Sequence, residues 1–132
     1  MKKIPVLLIA GLLGLTATVV NAYDGCKNPT SSYDSTYCTA KLFIESDKEL
    51  NETYKSLTQQ VNGDVKKSLV NAQRAWIKFR DNACESQGEI DVDCNYAVNK
   101  ARDEFLRDRL RECKTGHCQN DLIASQNFKT SS

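Results

Sequence analysis

Apolar residues recur along most of the chain with the period of an α-helix. In the first such segment, positions separated by alternating steps of four and three fall on one helical face: Phe43, Asp47, Leu50, Tyr54, Leu57 and Val61. Asn62 and Gly63 are typical of a helix end, and Asp64 is expected to cap the helix that follows. The pattern predicts a first helix over about residues 36–61.

The same spacing returns twice in the second half of the chain. A second helix is predicted from the apolar positions Val65, Leu69, Ala72, Trp76, Phe79 and Ala83. A third is predicted over about residues 94–112, with the inward positions Ala97, Val98, Ala101, Phe105, Leu106 and Leu110. Gly116 is expected to close it. Short connections fold successive helices back on each other, so the expected fold class is all-α, a small antiparallel three-helix bundle.

The two ends of the chain differ from this helical middle. Lys2 and Lys3 precede an apolar stretch, and Val20-Asn21-Ala22 has the small or apolar residues that signal peptidase requires. Residues 1–22 are therefore expected to be a cleaved signal peptide. A retained membrane anchor is the alternative, because about 17 apolar residues is the lower limit of a spanning length. Residues 23–132 are expected to form one domain, with an irregular arm over 23–35 and a frayed tail over 120–132.

A signal peptide implies a periplasmic or secreted protein without stable membrane insertion after cleavage. The formal net charge is +1, and it becomes −1 when Lys2 and Lys3 leave with the signal peptide. So small a charge gives no overall field for nucleic acid. The third helix contains the arginines Arg102, Arg107, Arg109 and Arg111. Carboxylates interleave with them as helical pairs, namely Asp103, Glu104, Asp108 and Glu112, which is typical of a solvated face.

Six cysteines lie beyond the signal peptide, and an even count in an exported chain predicts three disulfides: Cys26, Cys38, Cys84, Cys94, Cys113 and Cys118. In the antiparallel bundle Cys113 lies roughly 30 Å from the opposite end, whereas bonded cysteines lie within about 7 Å of each other. Cys113 is therefore expected to pair with Cys118. The other four gather at one end, where three pairings are possible. Cys26–Cys38 and Cys84–Cys94 are favoured.

Asp47 occupies a position on the apolar stripe, where an unpaired carboxylate would cost several kcal/mol. The antiparallel geometry places it within one turn of Arg80, so a partly buried Asp47–Arg80 pair is predicted. Asn51 falls opposite Gln73 by the same argument. We interpret these polar residues as contacts that set the register of the helices rather than as binding groups.

Motifs for catalysis are missing from the sequence. There is no Gly-rich phosphate loop, nucleophile elbow, metalloprotease helix or Cys-x-x-Cys pair. His117 is the only histidine, so the usual partner of a nucleophile is lacking and no enzyme is expected. A metal site at Cys113, His117 and Cys118 is a competing interpretation of the cysteines, but the zinc-ligand spacings are absent. No metal or cofactor is expected.

Two surface features are candidates for binding a protein. The loop over residues 85–93 presents carboxylates that would steer a basic partner, namely Glu85, Glu89, Asp91 and Asp93. Arg74 points away from the Trp76 stripe by about 200° and is expected to be exposed. A solvated turn is the alternative for the loop, and the ligand spacing of a calcium-binding EF-hand is absent.

Several motifs together resemble a known family. They are Cys38, Asp47-x-x-Leu50-Asn51-x-x-Tyr54, Ala72-Gln73-Arg74-Ala75-Trp76-x-x-Phe79-Arg80-Asp81-x-x-Cys84, and Cys94 followed eight residues later by Arg102. This set resembles the LprI-type lysozyme inhibitor N-terminal domain family over about residues 26–110. The resemblance implies an exported helical domain, tied in some members to inhibition of host lysozyme.

The functional hypothesis is therefore a protein-binding domain that occludes the cleft of a basic lysozyme, with the acidic loop over residues 85–93 providing attraction. The alternative is an envelope interaction or stress module that has no activity toward lysozyme.

Overall fold

Three long helices make up most of the chain, and a hairpin joins the last two. The structure is a computed structural model that describes Cys26 and residues 28–130. Its elements are α1 (Ser32–Gln60), α2 (Gly63–Cys84), β1 (Glu85–Ser86), β2 (Glu89–Ile90), α3 (Val92–Lys114) and α4 (Asn120–Ile123). The all-α prediction is confirmed. The short antiparallel pair β1 and β2 was expected only as a loop.

The helix ends follow local capping. Ser31 has an extended backbone, and its side-chain oxygen accepts a hydrogen bond from the backbone N–H of Asp34 at 3.0 Å. This cap starts α1 at Ser32, so residues 32–35, expected in the irregular arm, are helical. Asn62, and not Asp64, holds the N-cap position of α2, because the chain already turns at Gly63 with a φ of 53°. Asp64 instead lies in the first turn, where a carboxylate favours the helix N-terminus.

The helices run up, down and up, so α1 and α3 are parallel. These two helices approach each other most closely, and small polar residues line their contact. Asn99 Nδ2 donates to Ser46 Oγ at 3.2 Å, and Thr53 Oγ1 donates to Asp103 Oδ1 at 2.6 Å. The closest packing is thus between the first and third helices, which the prediction from successive hairpins did not identify.

The core lies between the three helices and under the tail. Its completely or almost completely buried side chains include Leu50, Leu57, Leu69, Trp76, Val98, Leu106 and Ile123. The predicted inward residues Ala83 and Ala97 are exposed. The tail packs instead of fraying: Ile123 of α4 is completely buried, and the Phe128 ring centroid lies 5.5 Å from that of Phe79. Two apolar side chains are enough to hold this segment on the bundle.

Three disulfides join the six cysteines. Cys26 bonds to Cys38, Cys84 to Cys94 and Cys113 to Cys118, with Cα–Cα distances of 5.7, 5.4 and 4.1 Å. The bundle geometry had predicted Cys113–Cys118, and the other two bonds are the favoured ones among the three pairings that it left open. The competing metal interpretation is wrong for Cys113 and Cys118, because their sulfurs are bonded to each other. The expected signal peptide, residues 1–22, lies outside the described residues. Within the described helices, none is both long and apolar enough to cross a bilayer.

Candidate functional site

The loop between α2 and α3 is a tight β-hairpin, here called the acidic hairpin (residues 85–91). Glu85 pairs with Ile90 and Ser86 pairs with Glu89 in antiparallel register. The two turn residues, Gln87 and Gly88, have φ values of 53° and 81°. A two-residue turn with both φ values positive matches the twist of the flanking strands. The acidic residues of this loop therefore project from the end of the bundle on an ordered backbone.

The base of the acidic hairpin is held at both ends. The Cys84–Cys94 disulfide joins α2 to α3 directly beneath it. The backbone N–H of Asp91 donates to the carbonyl of Cys84 at 2.8 Å, and Asp91 Oδ1 accepts from the backbone N–H of Cys94 at 2.9 Å. Asp91 is thus the N-cap of α3. The side chain of Asp91 therefore stabilises the start of α3, whatever its role in binding.

The carboxylates of the predicted patch are exposed, namely Glu85, Glu89, Asp91 and Asp93. Glu85 and Glu89 make no ion pair with any described residue. Asp81, one turn earlier, is different because Nε and Nη2 of Arg80 both donate to its Oδ1 at 3.0 Å. Ile90 was missed by the sequence analysis and is 55% exposed at the centre of this patch. The sequence did contain a signal for this residue, namely an isoleucine placed between acidic residues of the predicted loop.

The motif residues are mainly structural. Nη1 of Arg80 lies 3.4 Å from Asp47 Oδ1, and the guanidinium stacks on Trp76 at 5.2 Å from the ring centroid, so the predicted Asp47–Arg80 pair is confirmed. The expected contact between Asn51 and Gln73 does not form. Asn51 is exposed and donates to Asp47 Oδ2 at 3.3 Å within its own helix. The remaining motif residues, Leu50, Tyr54 and Phe79, belong to the core or pack against it.

The family model described as lysozyme inhibitor LprI matches residues 26–126. This chain belongs to the LprI lysozyme inhibitor family. An uncharacterized protein of Rhizobium meliloti (strain 1021) is 33% identical over an alignment 76 residues long that covers 48% of this chain and 55% of that protein. The chain thus spans just over half the length of this relative. No solved structure matches the chain.

Membership of the LprI family bears on the kind of partner, and the disulfides of the fold bear on the compartment. The family is described as an inhibitor and not as an enzyme, which fits a partner that is itself a protein. Three disulfides fit an oxidising compartment outside the cytoplasm.

Four described groups have a clearly displaced pKa: the arginines Arg102, Arg107 and Arg109, and Glu112, which accepts hydrogen bonds from Arg109. The groups of this LprI domain that are available for contact with a partner are its exposed charged and apolar side chains.

Arg74 lies on a second surface of the LprI domain. It is exposed, as predicted, and borders a shallow groove on α2 together with Lys66, Lys67 and Val70. Eleven residues separate Arg74 from Glu85, which is roughly 16 Å along a helix axis. The structure therefore does not bring Arg74 to the acidic hairpin, and the predicted binding candidates divide between two surfaces.

Two charged residues of α3 contradict the prediction of a solvated face. Arg102 is 5% exposed and Asp103 is 2% exposed. Asp103 accepts hydrogen bonds from Thr53 and from Nε of Arg107, the latter at 2.7 Å. Nε of Arg102 donates to Gln73 Oε1 at 3.0 Å, and burial lowers the pKa of Arg102 to about 10. The pairing of charges along one helix could not show that Arg102 and Asp103 are buried, because their burial results from the close approach of α1 and from the tail that packs on α3.

Proposed function

We propose that this LprI-family protein inhibits a lysozyme by covering its substrate cleft, and that the acidic hairpin makes the attractive contact. The observation that carries the proposal is an exposed set of carboxylates around an exposed apolar residue, Ile90, on a hairpin that a disulfide closes. The match to the lysozyme inhibitor family supports the nature of the partner.

Electrostatics and rigidity favour this role for the acidic hairpin. A basic enzyme is attracted by clustered carboxylates, and such attraction raises the association rate more than it raises the final affinity. Ile90 supplies apolar area at the same place, which acts after the encounter by slowing dissociation. Because the Cys84–Cys94 disulfide and the Asp91 cap already order the loop, little conformational entropy is lost on binding.

Inhibition is tested by mixing purified protein that spans residues 23–132 with a basic lysozyme and bacterial cell walls. We expect the rate of lysis to fall as the protein approaches a stoichiometric amount. Unchanged lysis at a large molar excess would remove the proposal. A protein that captures another envelope component in pull-down, while leaving lysis unchanged, would instead be the interaction module considered as the alternative.

The role of the hairpin charges is tested with the double variant Glu85→Gln/Glu89→Gln, which retains Asp91 because that residue caps α3. The association rate constant at low salt is expected to fall roughly three- to tenfold, and the difference should shrink as salt is added. The matched control is Glu52→Gln/Asp64→Asn, which removes the same charge from exposed positions away from the hairpin. Equal rates for the two double variants would clear the hairpin charges of a role.

The role of Ile90 is tested separately with Ile90→Ser. Dissociation of the complex is expected to be about tenfold faster, with little change in the association rate, because the side chain acts after the encounter. Ile44→Ser, on the exposed face of α1, changes the same residue type where 65% of the side chain is exposed, and it should leave both rates unchanged. If the Ile44 variant dissociates as fast as the Ile90 variant, the contact lies elsewhere.

A further inference from the structure

A cavity of about 460 Å³ lies between α3 and the tail, away from the acidic hairpin. Its walls combine apolar side chains, among them Trp76, Phe105, Leu122 and Phe128, with polar and charged ones, among them Arg102. A concave site that brings aromatic side chains and a charged group together can bind a small ligand that has both an apolar body and a charge. The proposed contact with lysozyme makes no use of this cavity.

The charge of Arg102 is not neutralised by any carboxylate of the described chain. Its Nε donates to the neutral Gln73 Oε1, and its guanidinium carbon lies 5.2 and 5.3 Å from the ring centroids of Phe105 and Phe128. The neighbouring Asp103 is engaged with Thr53 and Arg107. A buried cation normally has an anionic partner, since burial without one is costly.

One hydrogen-bond donor of this guanidinium is unused. Across the described residues, Nη2 of Arg102 is the single buried side-chain nitrogen or oxygen without a hydrogen-bond partner. An unsatisfied buried donor next to a charge costs more than a neutral one. The rings of Phe105 and of Phe128, which belongs to the irregular segment after α4, both lie beside this guanidinium.

We propose that this cavity is a binding site for a small monocarboxylate with an apolar or aromatic body, whose carboxylate pairs with the guanidinium of Arg102. A guanidinium binds a carboxylate through charge-assisted hydrogen bonds, and the aromatic walls suit an apolar body. Glu104 and Asp108 also border the cavity, together with Lys129. Because Phe105 and Phe128 flank the guanidinium of Arg102, a ligand with an apolar body suits the site better than a phosphate, whose other oxygens would lie against aromatic rings.

Trp76 makes the site directly observable, because it is the only tryptophan of the chain and lines the cavity. The protein is titrated with phenylacetate and with hexanoate while the indole N–H resonance and the fluorescence of Trp76 are followed. Phenylacetamide and inorganic phosphate are the matched probes, the first without charge and the second without an apolar body. Phenylacetate is expected to bind at least about tenfold more tightly than either, since a charged hydrogen bond is the difference.

Two variants assign the binding to Arg102. Arg102→Met keeps the length of the side chain and should abolish the preference for the carboxylate over the amide, whereas Lys114→Met, an exposed cation on the same helix, should leave it unchanged. If Arg102→Met does not fold, Leu122→Glu adds a carboxylate at the partly exposed wall and should weaken phenylacetate binding about tenfold. The proposal would be overturned by the absence of a Trp76 response to either carboxylate, by tighter binding of phosphate, by a preference for the carboxylate that Arg102→Met retains, or by phenylacetate binding that Leu122→Glu leaves unchanged.

Discussion

Arg102 and Asp103 are neighbours in sequence, and both are buried, yet the two charged side chains differ in the partners that they contact. Asp103 accepts hydrogen bonds from Thr53 and Arg107 and so has a cationic partner. Within the described part of the chain, Arg102 contacts the side-chain oxygen of Gln73 and two aromatic rings, and no carboxylate pairs with it. At the residue scale, the partners of a buried charge decide whether it holds the fold together or leaves a group available for a ligand.

Asp103→Ala is expected to lower the free energy of unfolding by about 1–3 kcal/mol, because it leaves the buried Thr53 hydroxyl without its acceptor. Arg107 is half-exposed and can be hydrated, so its lost pair adds less. Urea denaturation measures the change. Glu49→Ala, which removes the exposed 3.1 Å pair with Lys100, is the control and should cost less than about 1 kcal/mol. Equal losses would show that Asp103 contributes no more than a surface charge.

Glu112 should titrate below its ordinary range. Nε and Nη2 of Arg109 donate to its two carboxylate oxygens at 2.6 and 2.7 Å, and these bonds lower the pKa of Glu112 from its ordinary value. The lowered pKa means that the pair stabilises the fold above the ordinary pKa, and that this contribution is lost as the pH falls through the folded-state pKa. Arg109→Gln should raise the pKa of Glu112 in an NMR titration. A pKa that the substitution leaves unchanged would exclude Arg109 as the cause.

At the scale of elements, the acidic hairpin and the start of α3 form one unit. The hairpin ends at Asp91, whose side chain caps α3, and the Cys84–Cys94 disulfide joins the two helices that flank it. The turn residues Gln87 and Gly88 both have positive φ values, so the hairpin direction is set by its own backbone. The element that presents the exposed carboxylates is therefore ordered by its own strand pairing and by its links to α2 and α3.

Removing the disulfide with Cys84→Ala/Cys94→Ala should lower the free energy of unfolding by about 2–3 kcal/mol, as expected when a loop of ten residues is released in the unfolded chain. The amides of the hairpin should also exchange faster with solvent, since its base is no longer fixed. Hydrogen exchange followed by NMR measures both. Cys113→Ala/Cys118→Ala is the matched control and should leave the hairpin amides unchanged; faster hairpin exchange there would indicate a global effect.

On the scale of the whole molecule, α4 and the tail complete the core. Ile123 is completely buried, and Phe128 packs against Phe79 in a tilted arrangement and lies over Arg102. The tail therefore borders the same cavity that Arg102 lines. A segment with few apolar residues takes part in the domain because two of them, Ile123 and Phe128, pack into or against the core.

Ile123→Ala is expected to lower the free energy of unfolding by about 2–5 kcal/mol, the range for truncating a fully buried aliphatic side chain. Leu122→Ala, at the adjacent position with 43% exposure, should cost clearly less, because the side chain keeps much of its contact with water when folded. Thermal or urea unfolding of both variants measures the difference. If the two substitutions cost the same, the tail does not pack as a specific part of the core.

Three helices could be predicted from the sequence, because the period of apolar residues such as Leu50, Leu69 and Leu106 requires one buried face on each helix. The Asp47–Arg80 pair and the Cys113–Cys118 bond could also be predicted, since short connections fix which ends of successive helices meet, whereas the pairing of the other four cysteines stayed open. The sequence could not predict the hairpin shape with certainty, because a two-residue turn carries little hydrophobic pattern.

Three features depend on tertiary packing and could not be predicted from the sequence: the parallel contact of α1 with α3, the burial of Arg102 and Asp103, and the packing of Ile123. Those features depend on which helices approach most closely. That choice is made by side-chain volumes and polar partners far apart in the chain, such as Thr53 and Asp103, whereas a local pattern records only which face of one helix is apolar.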